Sequence, residues 1–513
     1  MMGIVYLIGA GPGDYKLITV KGRECIEKAD VIVYDYLADA KILRWARPDA
    51  ELIYAGKKVR NHTMHQYEIN ELLVKYGLAG KVVARLKGGD PLIFGRGGEE
   101  ALALQEAGVP FEFVPGVTSG IAAPAYAGIP VTQRAMATSF AIVTGHEDPT
   151  KEESGINWKG LATAVDTISF VMGVGHLPTI ASELIAHGRP ADTPVAVIRW
   201  GTKAEQQTIV STLEHVADDV AKANIKPPAL ITVGQVVNLR EQLRWFDNKP
   251  LFGKTIVVTR ARAQASELTD ALENLGANVL ETPAIRTQIL PITAEMQSLL
   301  ANLADYDMLT FTSAQGVRYF FEVLNASGKD ARMLGNIKVC AIGIATAKVL
   351  QNKGILADVI PANYQGESVV KAITDWSAEV KLKSTRILLI QPKVAREVIP
   401  EGLRKAGFTV DILRLYETVQ ADEEAGPLIE ALALGSVDYL TFTSSSTVTN
   451  TLRMLGDDAL ALLGNTKVVC IGPITAATCV EHNIKPTLIG ETFTIPAMVD
   501  LIKTNAMQNN SGQ

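Results

Sequence analysis

Arg85-Leu86-Lys87-Gly88-Gly89-Asp90-Pro91-Leu92-Ile93-Phe94-Gly95-Arg96-Gly97-Gly98-Glu99-Glu100 leaves an apolar strand at residues 82–86. Glycine accepts backbone angles other residues resist and lets a ligand approach the main chain. Two further stretches share this character. Gly9-Ala10-Gly11-Pro12-Gly13-Asp14 follows a strand at 4–8. Val114-Pro115-Gly116-Val117-Thr118-Ser119-Gly120 leads on to Ala125-Tyr126-Ala127-Gly128-Ile129-Pro130-Val131-Thr132-Gln133-Arg134. A tight turn explains one such loop. Three at strand ends in one region point to a shared pocket.

Around these loops the first half reads as α/β. Strands are expected at 4–8, 31–34, 82–86, 140–144, 167–172, 195–198 and 229–233. A break falls at Asp247-Asn248-Lys249-Pro250, before a fresh strand that begins at Lys254. The second half repeats itself. Asp307-Met308-Leu309-Thr310-Phe311-Thr312-Ser313 returns as Asp438-Tyr439-Leu440-Thr441-Phe442-Thr443-Ser444, 131 positions on. Thr255-Ile256-Val257-Val258-Thr259 returns at the same offset as Arg386-Ile387-Leu388-Leu389-Ile390. Each copy alternates apolar strands with helical segments, the pattern of parallel α/β layers. Two similar units imply two lobes, and clefts between lobes favour binding.

Composition narrows the classes. A chain of 513 residues is too long for one core. Hydrophobic residues at 47% and charged residues at 20% are ordinary for globular domains. A net charge of -6 argues against a nucleic-acid or polybasic membrane binder, but local arginines can still meet an anionic substrate. Cys25, Cys340, Cys470 and Cys479 form no C-x-x-C pair, so neither a disulfide framework nor zinc is expected, and a reducing cytoplasm is. His62 and His65 make an H-x-x-H without a supporting cluster, so no metal is expected. No signal peptide is visible, and the longest uncharged stretch, 113–133, is broken by Pro and Gly.

The first loop, with Asp35 ending the next strand, invites a dinucleotide reading. That fingerprint fails because its third glycine falls on Asp14. Together the loops resemble the tetrapyrrole methylases, specifically uroporphyrinogen-III C-methyltransferase, over about residues 3–246. Thr144-Gly145-His146, Val171-Met172-Gly173, Gly201-Thr202 and Pro228-Ala229-Leu230 extend the likeness. The resemblance implies two α/β subdomains with S-adenosyl-L-methionine between them, held by Pro12, Gly88, Gly89, Asp90, Ile93, Thr118, Ser119, Met172 and Gly201. It also implies two methyl transfers to pyrrole carbons, giving precorrin-2, with Asp35 and Lys57 as the acid–base pair. Arg85, Lys87, Arg96 and Arg134 are candidates for the eight substrate carboxylates. Gln133 stands where the family is expected to carry His.

Residues 254–505 resemble uroporphyrinogen-III synthase. The runs are Val258-Thr259-Arg260, Phe311-Thr312-Ser313, Ile342-Gly343, Leu415-Tyr416-Glu417-Thr418, Phe442-Thr443-Ser444-Ser445 and Ile471-Gly472-Pro473. The resemblance implies lobes 254–285 plus 417–505 and 286–416, closing hydroxymethylbilane with inversion of its last ring. Tyr416 is the candidate for assisting hydroxyl departure. Arg260 and, more weakly, Arg396 are candidates for carboxylates. Thr312, Ser313, Thr443, Ser444 and Ser445 could cap helices whose amides bind carboxylates, or cap them only.

The expected whole is a bifunctional cytoplasmic enzyme with small tetrapyrrole substrates and no nucleic-acid or membrane partner. Its parts are 1–247, a linker at 248–253, 254–505 and a flexible tail at 506–513, with homodimerisation through the first part. Two alternatives stay open at this point: a methylase with a non-tetrapyrrole substrate such as RNA, and a second half that binds ligands without catalysis.

Overall fold

The structure, a computed structural model, describes residues 3–56, 64–146, 155–260, 262–361, 366–379, 385–421 and 425–510. These residues form four five-stranded sheets flanked by helices.

The first sheet contains β1 (Ile4–Gly9), β2 (Val31–Tyr34), β3 (Glu51–Tyr54), β4 (Val82–Lys87) and β5 (Phe111–Val114), in the order β3-β2-β4-β1-β5. Every pairing is parallel. The central strands read as nearly continuous apolar runs because both faces are covered; Val5, Leu7, Ile8 and Val31 to Val33 are all buried. Parallel pairing sends every carboxyl end to one edge. There β4, β1 and β5 are neighbours, Gly9 level with Lys87 and Ile8 with Val114. The three glycine loops therefore leave adjacent strands at one height, the edge where open parallel sheets hold ligands.

The second sheet contains β6 (Phe140–Thr144), β7 (Thr167–Val171), β8 (Pro194–Arg199), β9 (Gln207–Thr212) and β10 (Ala229–Val233), in the order β6-β7-β10-β8-β9. Only β6 and β7 pair in parallel. The sequence reading did not name β3, β5 or β9. Each is an outer strand, and none is more than partly buried through most of its length. Half-wet strands carry little apolar signal.

The second half contains β11 (Thr255–Val258), β12 (Asn278–Glu281), β13 (Ile285–Ile289), β14 (Met308–Phe311), β15 (Lys338–Ala341), β16 (Arg386–Pro392), β17 (Thr409–Gln420), β18 (Tyr439–Phe442), β19 (Lys467–Cys470) and β20 (Leu488–Ile489). They form two sheets, β12-β11-β18-β19-β20 and β13-β17-β16-β14-β15. Under the 131-residue repeat, β12-β11-β18-β19 corresponds to β17-β16-β14-β15, strand for strand. The copies are thus exchanged: each sheet takes two strands of this shared core from each copy. Antiparallel pairing enters only where β13 meets β17.

Two segments carry more structure than the sequence reading gave them. The tail placed at 506–513 is helical as far as Asn510, with Ala506 buried beside Ile502 and Met498, because the apolar face of the last helix continues past residue 505. The segment at 248–253 is more than a tether: Leu251 is buried in the core of the β11 sheet, and its N–H donates to Leu275 O at 2.9 Å.

Candidate functional site

The three loops meet backbone to backbone. Gly11 and Gly89 exchange two hydrogen bonds, at 3.2 and 2.7 Å. A Cβ at Gly116 would lie 2.3 Å from Gly89 O and 2.6 Å from Gly9 Cα, so no side chain fits there. Asp90 seals the junction: one carboxylate oxygen accepts from Gly116 N–H at 3.0 Å, the other from Leu92 N–H at 2.8 Å.

Beside this junction, between the first two sheets, lies a cavity of about 380 Å³. Of the nine residues expected to hold the cofactor, Pro12, Gly88, Gly89, Ile93, Thr118, Ser119, Met172 and Gly201 line it. Asp90 does not, its carboxylate being engaged in tying the loops. Thr118 caps the helix Ser119–Tyr126. Gly88 and Gly201 abut Leu37 and Ala123 so closely that an added Cβ would come within 2.6 and 2.4 Å of their Cβ atoms. Tyr36, Leu37, Phe94, Trp200 and Lys203 also line the cavity and were not foreseen. Phe94, Met172 and Trp200 have positive φ angles of 54°, 56° and 49°. For non-glycine residues such angles cost about 1–3 kcal/mol and concentrate at functional sites. Trp200 was legible only through its neighbour, Gly201.

Asp35 directly follows β2, next to Tyr36 and Leu37, and its Oδ1 accepts from Leu37 N–H at 3.0 Å. Its Oδ2 lies 3.6 Å from Arg85 Nη2. Lys57 and His62 lie outside the described residues.

Arg85 and Lys87 are a correction. Both are 4% exposed and close on the fully buried Glu100, at 3.3 and 2.5 Å. Inward-facing positions of a parallel sheet bury their side chains, so these cations close on Glu100 and not on solvent, with Arg85 also 3.6 Å from Asp35. Burial, reinforced by Arg85, holds the Lys87 ammonium below its ordinary pKa. Arg96 is exposed and clasps Glu99 through two bonds of 2.8 and 2.7 Å. Arg134 is exposed in a tight turn, where Gln133 and Ala137 pair.

A second cavity, of about 680 Å³, opens at the carboxyl ends of β14 and β16. Thr312, Ser313, Gln391, Arg396 and Tyr416 line it. Ser313 caps the helix Ala314–Ala326, accepting from Gly316 N–H at 2.9 Å, and its Oγ also lies 2.7 Å from Tyr416 Oη. Burial pushes the Tyr416 phenol up, partly offset by Ser313. Thr312 Oγ1 donates to Ile390 O at 2.9 Å. Gln391 was missed, although it occupies the repeat position of Arg260; it is 1% exposed, and its amide nitrogen has no partner among the described residues. Thr443, Ser444 and Ser445 sit at the equivalent edge of the β11 sheet, outside this cavity. Ser444 caps the helix Ser445–Leu455 in a capping box with Thr447, and Ser445 Oγ accepts from Thr478 at 2.7 Å. Arg260 is half-buried two residues past the end of β11. Among the described residues no group of three His, Cys, Asp or Glu could hold a metal, and Cys25, Cys340, Cys470 and Cys479 are unbridged and buried.

Comparison with known proteins divides the chain the same way. Residues 4–217 match the family Tetrapyrrole (Corrin/Porphyrin) Methylases, and residues 266–500 match Uroporphyrinogen-III synthase HemD. The porphyrin biosynthesis protein HemD of Ruminiclostridium josui is 37% identical, over 97% of each chain. A uroporphyrinogen-III C-methyltransferase of Priestia megaterium is 53% identical over 46% of this chain and 99% of its own. A crystal structure of the Thermus thermophilus uroporphyrin-III C-methyl transferase complexed with S-adenyl homocysteine is 40% identical over 46% of this chain and 94% of its own, with a TM-score of 0.40.

Proposed function

Because the chain belongs to the family of porphyrin biosynthesis proteins that join a tetrapyrrole methylase to a uroporphyrinogen-III synthase, we propose that its two cavities carry out consecutive steps on one substrate. The second half closes hydroxymethylbilane to uroporphyrinogen III with inversion of the last ring. The first half methylates that product twice, giving precorrin-2. The observation that carries the methylase assignment is the backbone junction of Gly9, Gly89 and Gly116 beside a largely apolar cavity.

S-adenosylmethionine, when bound, supplies an electrophilic methyl group. The cavity fits it: Gly89 leaves room against the main chain, Gly88 and Gly201 let the walls carrying Leu37 and Ala123 close in, and Met172 and Val171 give a soft apolar wall. The protein's task is to hold acceptor carbon and methyl in line, since orientation supplies much of the gain in such transfers. Asp35 accepts the proton that leaves the ring, its carboxylate oriented by Leu37 N–H and Arg85. Lys57 is its proposed partner. Arg96, Arg134 and Lys203 remain as cations for the substrate carboxylates.

In the second cavity Tyr416 Oη donates to the departing hydroxyl, and Ser313 fixes the phenol's direction. Arg396 meets carboxylates of the folded chain of pyrroles, and Arg260 with Thr443, Ser444 and Ser445 does so from the other sheet. A homodimer through the methylase half and a cytoplasmic location complete the proposal. Exposed Tyr67, Leu92, Leu102 and Ile121 supply apolar surface for pairing, and no helix among the described residues is long and apolar enough to cross a membrane.

Incubating the full chain with hydroxymethylbilane and methyl-labelled S-adenosylmethionine tests both steps. The expected product is the type III macrocycle carrying two labels. The type I isomer alone, or label that never reaches the macrocycle, contradicts the assignment.

A further inference from the structure

Two segments bordering the methylase cavity continue into short helices that touch the other half of the chain. The loop carrying Gly11 and Pro12 runs through Asp14 into Tyr15–Leu17. The loop carrying Asp35, Tyr36 and Leu37 runs through Asp39 into Ala40–Trp45. Both meet Glu273, near the end of the helix Arg262–Asn274 in the synthase half. Its Oε1 lies 2.5 Å from Lys41 Nζ, and its Oε2 lies 3.3 Å from Lys16 Nζ and accepts from Tyr15 Oη at 3.1 Å. The Glu273 side chain is only 12% exposed. Lys16 also reaches Asp270 at 3.2 Å, and Arg44 reaches Glu281 at 3.6 Å.

Local preference runs against this arrangement. A carboxylate in the last turn of a helix faces the negative end of the helix dipole, and burial penalises its charge further. Burial alone would raise the carboxyl's pKa; Lys41 and Lys16 outweigh it and hold the carboxyl below its ordinary range. The junction is continuous with the cavity. Asp14 accepts from Tyr126 Oη at 2.8 Å, and its N–H donates to Thr202 Oγ1 at 2.9 Å, next to cavity-lining Gly201.

Resting on the reading of this cavity as the methyl-donor site, we propose that Glu273 is a positioning residue for methyl transfer, supplied by the synthase half: one carboxylate ties the Pro12 segment to the Asp35 segment and so fixes the mouth of the pocket. The fusion is then structural as well as sequential: in this chain the second half buttresses the mouth of the methylase pocket.

Glu273→Gln in the full chain removes the charge and keeps the shape. Affinity for S-adenosylhomocysteine, read by calorimetry, is expected to fall about tenfold, equal to about 1.4 kcal/mol. The KM for the donor rises in step, while cyclisation of hydroxymethylbilane by the same preparation stays within about twofold, as for separate sites. Glu273→Asp recovers part of the loss, and Lys41→Met, on the other side of the contact, reproduces it. Unchanged S-adenosylhomocysteine affinity in both Glu273→Gln and Lys41→Met overturns the proposal. So does a parallel fall of both activities in both variants, which would mark a contact needed by the whole fold and not by the pocket. The affinity is read without an acceptor, so a failed tetrapyrrole assignment leaves this result readable.

Discussion

At the carboxyl edge of the first sheet the site is made of backbone; at the carboxyl edge of the β14–β16 sheet it is made of side chains. Gly9, Gly89 and Gly116 touch through main-chain atoms, and the charges beneath them, Arg85, Lys87 and Glu100, are closed on one another. In the second cavity the side chains of Ser313, Gln391, Arg396 and Tyr416 form the lining. A site built on backbone contact tolerates only glycine at its crossing points. A site built on hydroxyls and amides admits many substitutes. The first writes itself into the sequence, and the second scarcely does.

The comparison breaks first at the closed charges. Glu100→Gln leaves Lys87 buried without its paired carboxylate and Arg85 with only the longer contact to Asp35, and breaking a buried pair typically costs about 3–5 kcal/mol. Denaturant unfolding should show the methylase half melting early and the synthase half unmoved. A neutral outcome would mean that the cluster opens to water. Next comes the backbone junction: Gly116→Val forces atoms into a gap that holds none, and overpacking of this kind costs about 1–3 kcal/mol. S-adenosylhomocysteine affinity should fall about ten- to a hundredfold with cyclisation intact.

The two repeats offer a finer test. Ser313 and Ser444 hold the same place in each copy, but only Ser313 joins Tyr416. Tyr416→Phe should slow cyclisation about tenfold, the worth of one well-placed hydrogen bond. Ser444→Ala should cost about 1 kcal/mol of stability as a lost cap and leave the rate nearly unchanged. A larger rate effect at Ser444 than at Tyr416 would move the reacting centre to the other sheet.

A further test concerns the seam between the halves. Burial, then Glu273, pushes the Tyr15 phenol from 10.0 to about 12. Because the folded value is the higher one, this group's contribution is complete below pH 10 and is lost as pH climbs toward 12, where the unfolded chain ionises first. Tyr15→Phe should flatten the stability profile over that interval, measured by unfolding across the alkaline range.

How far the sequence could be read follows the same division. The meeting of the three loops was legible because clustered glycines mark close backbone approach, whereas the eight cavity-lining positions came from resemblance to the methylase family. Arg85 and Lys87 misled because the charge of a residue is visible in the sequence, whereas the face of the sheet it points from is not. Lys203 and Trp200 were passed over because single residues without a glycine signature carry no pattern. Periodicity alone implied two units; that one lobe draws on both ends of the second half was implied only by the resemblance. Gln391 was recoverable by carrying Arg260 across the repeat, a step the unlike side chains discouraged.

The central claim is that the three loops of the first sheet meet to form the methyl-donor pocket. A crystal structure of the full chain with S-adenosylhomocysteine tests it most directly. The ligand should lie in the cavity lined by Pro12, Gly88, Thr118, Met172 and Gly201, against the Gly11–Gly89 pairing. Density for the ligand elsewhere, with that cavity vacant, would contradict the account.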